Sequence, residues 1–238
     1  MRVLRRRFPP DRAVDEAAVV HLSGVLDPAR AADWAKRVTE ARADWTSDFG
    51  GSQFALGRPF YTHLETDRAD LYFREVARSD ALVERVLPGM QRELREIFAT
   101  LTRERVRQRP GFSGAGVHVF EAGCPVARRG GTIHFDVEGL SPLHVERRAR
   151  VFSLVVMLQP ASWGGGLAVF DALYEGSEDP SPAALAARRV VLRYGAGDAV
   201  MLSSRRLHQI RPFRGARPRI SITLHGVEVD RGVFETWF

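Results

Sequence analysis

His134-Phe135-Asp136, followed far downstream by His208 and then by Arg219-Ile220-Ser221, brings together residue types that can act on one metal. A His-x-Asp pair and one distant His supply two imidazoles and one carboxylate. That ligand set suits Fe(II), occupies one face of it and leaves positions open for oxygen and a co-substrate. The Arg-x-Ser beyond the second His can hold an acid in two of those positions, because a guanidinium grips a carboxylate through paired hydrogen bonds and a serine hydroxyl adds a donor. The expected chemistry is that of a non-haem iron oxygenase. Each piece is weak by itself: His-x-Asp arises by chance, a buried histidine is more often only hydrogen-bonded, and a lone arginine is usually a surface charge. The ordered combination carries the reading.

These residues need elements that aim them at one point. On a strand, side chains two apart share a face, so His134 and Asp136 can point inward together while Phe135 faces the other way. Arg219, Ser221 and Thr223 alternate in the same manner. From Val117 onward the sequence reads as short β segments broken by Gly and Pro: 117–120, 132–135, 151–158, 167–170, 190–192, 199–202 and 220–227. Many short strands with turn signals suggest a sandwich or jelly roll. The Pro-, Ser- and Ala-rich 176–187 stretch reads as an insertion between strands.

The first part of the chain has a different texture. Residues 19–26 read as a strand entering a turn, and Asp27-Pro28 is a helix start, an N-cap acceptor followed by proline. Ala32, Trp34, Ala35, Val38 and Ala41 give that helix an apolar face. Further helices are expected over 68–87 and 88–106, separated by Pro88-Gly89, with Leu94, Ile97, Phe98 and Leu101 facing the core. Between the first two helices, residues 45–62 combine Gly50-Gly51 with Phe54, Arg58, Phe60 and Tyr61. They read as an ordered surface loop, or on a sharper view as a lid whose Arg58 and Tyr61 meet substrate.

Composition narrows the classes. The 238 residues suffice for one well-buried domain, and 45% hydrophobic with 27% charged residues is ordinary for a globular protein. No apolar run is long enough to cross a membrane, and the basic start lacks the apolar stretch of a secretory signal. Cys124 is the only cysteine, which fits a reducing cytoplasm. The net charge of +6 raises the question of nucleic acid. Lys36 is the one lysine, Asn is absent, and the arginines are interleaved with acids, as in Arg92-Glu93-Leu94-Arg95-Glu96. That is GC-rich codon usage, not a one-signed stripe, and neither a nucleic-acid nor a membrane partner is expected.

Taken with its context, the pattern His134, Asp136, His208, Arg219 and Ser221 resembles the Fe(II)/2-oxoglutarate-dependent dioxygenase superfamily, closest to its prolyl-4-hydroxylase-like branch. Supporting stretches are residues 153–159, Trp163-Gly164-Gly165-Gly166-Leu167 and Gly197-Asp198. The resemblance covers roughly 117–227, with a weaker echo in the N-terminal strand and helix. It implies a mainly β fold with flanking helices, a double-stranded β-helix (jelly roll) with an N-terminal helical layer. The expected organisation is a single domain over 1–238, helical to about 110 and jelly roll over about 111–230.

It also implies iron held by His134, Asp136 and His208, 2-oxoglutarate chelating that iron with its distal carboxylate against Arg219 and Ser221, and O2 at the remaining position. Succinate and CO2 would be released as an unactivated C–H bond is attacked. An aspartate at 136 favours hydroxylation, desaturation or ring formation over halogenation. Relatives of this branch often carry Tyr where Phe120 stands in Phe120-Glu121-Ala122-Gly123, so His118 is the candidate replacement donor. Glu138 is a rim or substrate residue, Arg217 a competing anchor, and His21, His63, His144 and His225 are non-ligands. Arg128, Arg129 and the Arg147-Arg148-Arg150 group could meet an acidic substrate, with solvated surface charge as their ordinary role. The expected substrate is a small molecule, an amino acid or natural-product intermediate. A protein hydroxylase and a cupin-like binding protein without oxygenase chemistry are the alternatives.

Overall fold

The central strand Arg219–Asp230 shows how the chain is layered. Ile220, Ile222 and Leu224 point into a large apolar core, whereas Arg219, Ser221, Thr223 and His225 point to the opposite face and line a cavity. The period-two alternation of a strand makes that separation. Its neighbours follow the same rule. In Val151–Gln159, Leu154, Val156 and Leu158 join the large core while Met157, with Val155 packed beside it, joins a second cluster. In Gly116–Phe120, Val117 and Val119 go to the core and His118 and Phe120 to the cavity.

The computed structural model describes residues 1–238. A ten-stranded sheet runs Arg2–Arg7, Ala18–Ser23, Ala199–Ser203, Val151–Gln159, Arg219–Asp230, Gly116–Phe120, Gln53–Leu56 and Thr46–Asp48, with Val233–Trp237 joined to the central strand and Arg105–Gln108 joined to Val233–Trp237. The arginine-rich first strand lies at one edge, where charged side chains oppose edge-to-edge pairing. A smaller sheet of Arg189–Leu192, Leu167–Leu173 and Arg206–Ile210 packs over the other face.

Helices Pro28–Glu40 and Met90–Thr102 contribute Trp34, Ala35, Val38, Leu94, Ile97, Phe98 and Leu101 to the large core. Asp27 caps the first, accepting from the backbone N–H of Ala29 at 2.8 Å and of Arg30. Helix Ala69–Val86 ends before Pro88, and Gly89 at φ +76 opens the next.

Several expected boundaries move. The face of the first helix is set by Ala31 and not Ala32, which is exposed. The third long helix stops at Thr102, and residues 105–108 form a strand parallel to Val233–Trp237. Residues 45–62 are more regular than the surface loop expected: Thr46–Asp48 and Gln53–Leu56 form a hairpin that extends the large sheet, and Phe60–Glu65 is a short helix. Residues 132–135 form no strand; His134 makes a single isolated bridge to His208. The 176–187 insertion is found between two strands of the smaller sheet and contains the short helix Pro182–Ala186.

Candidate metal centre and cavity

His134, Asp136 and His208 are brought together although a large part of the chain separates them. The bridge runs through the backbone: His134 N–H donates to His208 O at 3.1 Å and His208 N–H returns to His134 O at 3.0 Å. Asp136 N–H donates to Ser204 O at 2.9 Å, which keeps this segment extended. Phe135 points away and packs with Ala168, Phe170 and Leu207. The alternation argument therefore holds without a regular strand.

The three ligand atoms lie within 4.8 Å of one another. His134 Nε2 is 3.3 Å from Asp136 Oδ1, and His208 Nε2 is 3.4 Å from Asp136 Oδ2. Each imidazole is fixed from behind, with Nδ1 of His134 donating to Thr132 O at 2.9 Å and Nδ1 of His208 to Arg206 O at 2.8 Å. A backbone carbonyl on Nδ1 sets the tautomer and aims Nε2 forward, as metal-binding histidines require. Two preset imidazoles and one carboxylate converging on a point fit a divalent iron.

The electrostatics agree. Burial favours a protonated Asp136, but the nearby His208, His225 and His134 outweigh it and hold the carboxyl well below its usual range. Burial likewise opposes charge on His134, yet the hydrogen bond and charge of Asp136 raise it to about 9. Behind Asp136, the Ser153 hydroxyl donates to Oδ2 at 2.5 Å, and Ser153 Oγ itself lies 2.8 Å from Ser204 Oγ and 3.1 Å from His225 Nδ1. His225 stands opposite Ser153 in the pairing of the two strands.

On the same strand face as His225, but nearer the strand's start, lies Arg219, only 1% exposed. Its guanidinium donates to Ser221 Oγ at 3.0 Å, to the Tyr194 hydroxyl at 2.9 Å and to Gly165 O at 3.3 Å. None of these partners is an anion. A buried cation without a counter-ion is costly, so this one is poised for a carboxylate from outside the chain. Phe120 sets its ring 5.7 Å from the guanidinium, and Tyr194 supplies the hydroxyl that Phe120 lacks.

Both groups open on one cavity of about 450 Å³, the size of a small-ligand site. Tyr61 and His118 line it, Tyr61 through a hydrogen-bonded pair with Gln53 at 2.8 Å. Arg58 does not reach it; its guanidinium turns to His63 Nε2 at 3.1 Å and Glu75 at 3.7 Å. Glu138 and Arg129 line the wall, and burial with the nearby Asp136 raises the Glu138 carboxyl to about 7. Arg150 instead pairs with Glu228 and Glu104 on the far side of the sheet, and Arg217 is exposed. Tyr194, Ser153 and His225 escape sequence reasoning. Only His225 carried a signal, since it continues the alternation of 219, 221 and 223.

No protein-family model matches the sequence, and no curated protein is similar to it. Solved structures do match in fold. The epimerase SnoN, determined in complex with Fe3+, alpha-ketoglutarate and nogalamycin RO, superposes with a TM-score of 0.54 and 16% identity, over 86% of this chain and 77% of that one. An N-substituted L-amino acid dioxygenase from Burkholderia ambifaria gives 0.56 and 15%, over 92% and 86%. A 2OG-Fe(II) oxygenase-family oxidoreductase from Burkholderia pseudomallei gives 0.51 and 13%, over 96% and 97%. The chain shares its fold with these three proteins.

Proposed function

We propose that this chain is an Fe(II)- and 2-oxoglutarate-dependent oxygenase with a double-stranded β-helix core, acting on a small molecule. The observation that carries the reading is Arg219: a buried guanidinium with no anion of its own, facing the cavity that also holds the His134–Asp136–His208 cluster. The fold shared with 2-oxoglutarate oxygenases supports it. Iron, held by the three clustered residues, would supply the oxidising chemistry that protein side chains lack.

The chain's own residues do the rest. Ser153 holds the Asp136 carboxylate in place, and backbone carbonyls hold both imidazoles. Arg219, Ser221 and Tyr194 would bind the distal carboxylate of 2-oxoglutarate, and His118 offers a further donor on the neighbouring strand. The Nε2 of Gln53 lies 3.3 Å from Nδ1 of His118, and an amide nitrogen can only donate, so the imidazole proton of His118 sits on Nε2. Val155, Leu167 and Ile210 give the cavity apolar lining beside these polar groups.

Anaerobic addition of Fe(II) and 2-oxoglutarate tests the reading. A visible charge-transfer band is expected in the native protein and absent in Asp136→Ala and His208→Ala. Arg219→Ala should retain iron but bind 2-oxoglutarate roughly a hundredfold more weakly, the loss of a buried ionic contact. A band untouched by the ligand substitutions, or equal loss of iron and co-substrate in Arg219→Ala, would remove the assignment.

A further inference from the structure

The face of the central strand that lines the cavity runs from Arg219 to His225, a span of about 20 Å at roughly 3.3 Å per residue. The metal cluster lies toward the His225 end, with His225 Nδ1 3.8 Å from Asp136. Hydrogen-bond chemistry differs at the two ends. Around Arg219 the wall presents donors: the guanidinium, the Ser221 hydroxyl and, by the Gln53 contact, Nε2–H of His118.

Around His225 the wall presents acceptors. Ser153 has one hydroxyl proton, which goes to Asp136, so His225 must donate from Nδ1 to Ser153 Oγ. Its Nε2 then carries a lone pair. That atom has no partner in the protein, although the residue is only 8% exposed and lines the cavity. Glu138 shares a side recess with it, along with Trp237. Glu65 lies at the mouth, one helical turn after Tyr61, and Glu178 from the insertion adds negative charge beside it. No arginine pairs with Glu138 or Glu65, in a chain with 35 basic residues against 29 acidic ones. The rings of Phe49 and Tyr61, 6.4 Å apart, complete this wall with two aromatic surfaces.

Acceptors, unpaired carboxylates and aromatic rings on one wall complement a cation that donates several hydrogen bonds. We propose that this end of the cavity is an ammonium-binding subsite, and that the compound oxidised carries a protonated amine held by Glu138, Glu65 and Nε2 of His225. The proposal rests on the oxygenase reading and names the class of its substrate.

Anaerobic calorimetric titration of the Fe(II)- and 2-oxoglutarate-loaded protein at pH 8 tests it with three probes on one phenylethyl scaffold. These are 2-phenylethylammonium, 2-phenylethanol and 3-phenylpropionate. The ammonium is expected to bind at least tenfold more tightly than the alcohol, and the carboxylate more weakly than either. Glu65→Gln and Glu138→Gln should each weaken the ammonium at least fivefold while leaving the alcohol within twofold. Equal or tighter binding of the alcohol or carboxylate, no binding of the ammonium, or an ammonium preference that survives both substitutions together would overturn the proposal. The charge-transfer band of the same native preparation reports separately on the oxygenase reading, so the two can fail independently.

Discussion

At the scale of residues, the cluster is held by a proton where a metal would sit. Asp136 raises His134 to about 9, above its ordinary 6.5. A raised folded pKa means that this pair stabilises the metal-free fold fully below about 6.5 and loses that contribution as pH rises through about 9. A cation bound to Nε2 must displace the proton, so metal affinity should rise with pH over the same window. Titrating the metal-free protein with Fe(II) at pH 7 in buffers of different ionisation enthalpy should show about one proton released per metal. Heats that do not depend on the buffer at pH 7 would contradict the assigned protonation. Tyr194 teaches a different lesson at this scale. The hydroxyl on the Arg219 guanidinium comes from the loop at residue 194, and Phe120 turns its ring to the same guanidinium.

At the scale of elements, the helices bind to the sheet through close steric matches as well as through apolar area. Gly226 lies under Phe98, and a Cβ built at 226 would stand 2.5 Å from the ring. Gly226→Ala should therefore destabilise the protein by about 1–3 kcal/mol, the usual cost of overpacking. Thermal denaturation would register it, and an unchanged midpoint would show that Met90–Thr102 shifts freely on the sheet. The same scale explains which elements were legible. Leu94, Ile97, Phe98 and Leu101 announced their helix because spacing alone fixes an amphipathic face. Residues 46–56 did not announce a hairpin, since Gly50-Gly51 marks a turn without saying whether the flanking segments find a sheet edge. The strand 105–108 was hidden because its partner, Val233–Trp237, is remote in sequence.

At the scale of the whole molecule, the metal cluster reinforces a junction that backbone hydrogen bonds already make, between His134 and His208 and from Asp136 to Ser204. A cation that binds the folded chain alone stabilises it, by about 2.7 kcal/mol at a hundredfold excess over its dissociation constant. For a chain of this size that corresponds to a rise of roughly 5–10 °C in the denaturation midpoint. Addition of Mn(II) with 2-oxoglutarate should produce such a rise, chelation should reverse it, and Asp136→Ala should abolish it. A shift retained in Asp136→Ala would place the cation elsewhere. Net charge also acquires a local meaning here. The chain carries +6, yet the mouth near Glu65 and Glu178 is negative.

The sequence by itself determined which residues could bind a metal and an acid, because ligand type and period-two alternation are local properties. His134, Asp136, His208, Arg219, Ser221, His118 and Tyr61 all face one cavity, and no helix is long and apolar enough to cross a membrane. Only the tertiary structure decided what surrounds them. It removed Arg58 to His63 and Glu75, brought Tyr194 to Arg219, and set His225 behind Asp136 with its lone pair free. Those contacts join segments far apart in the chain. The pairing of strands fixes them, and no local pattern encodes which strands will pair.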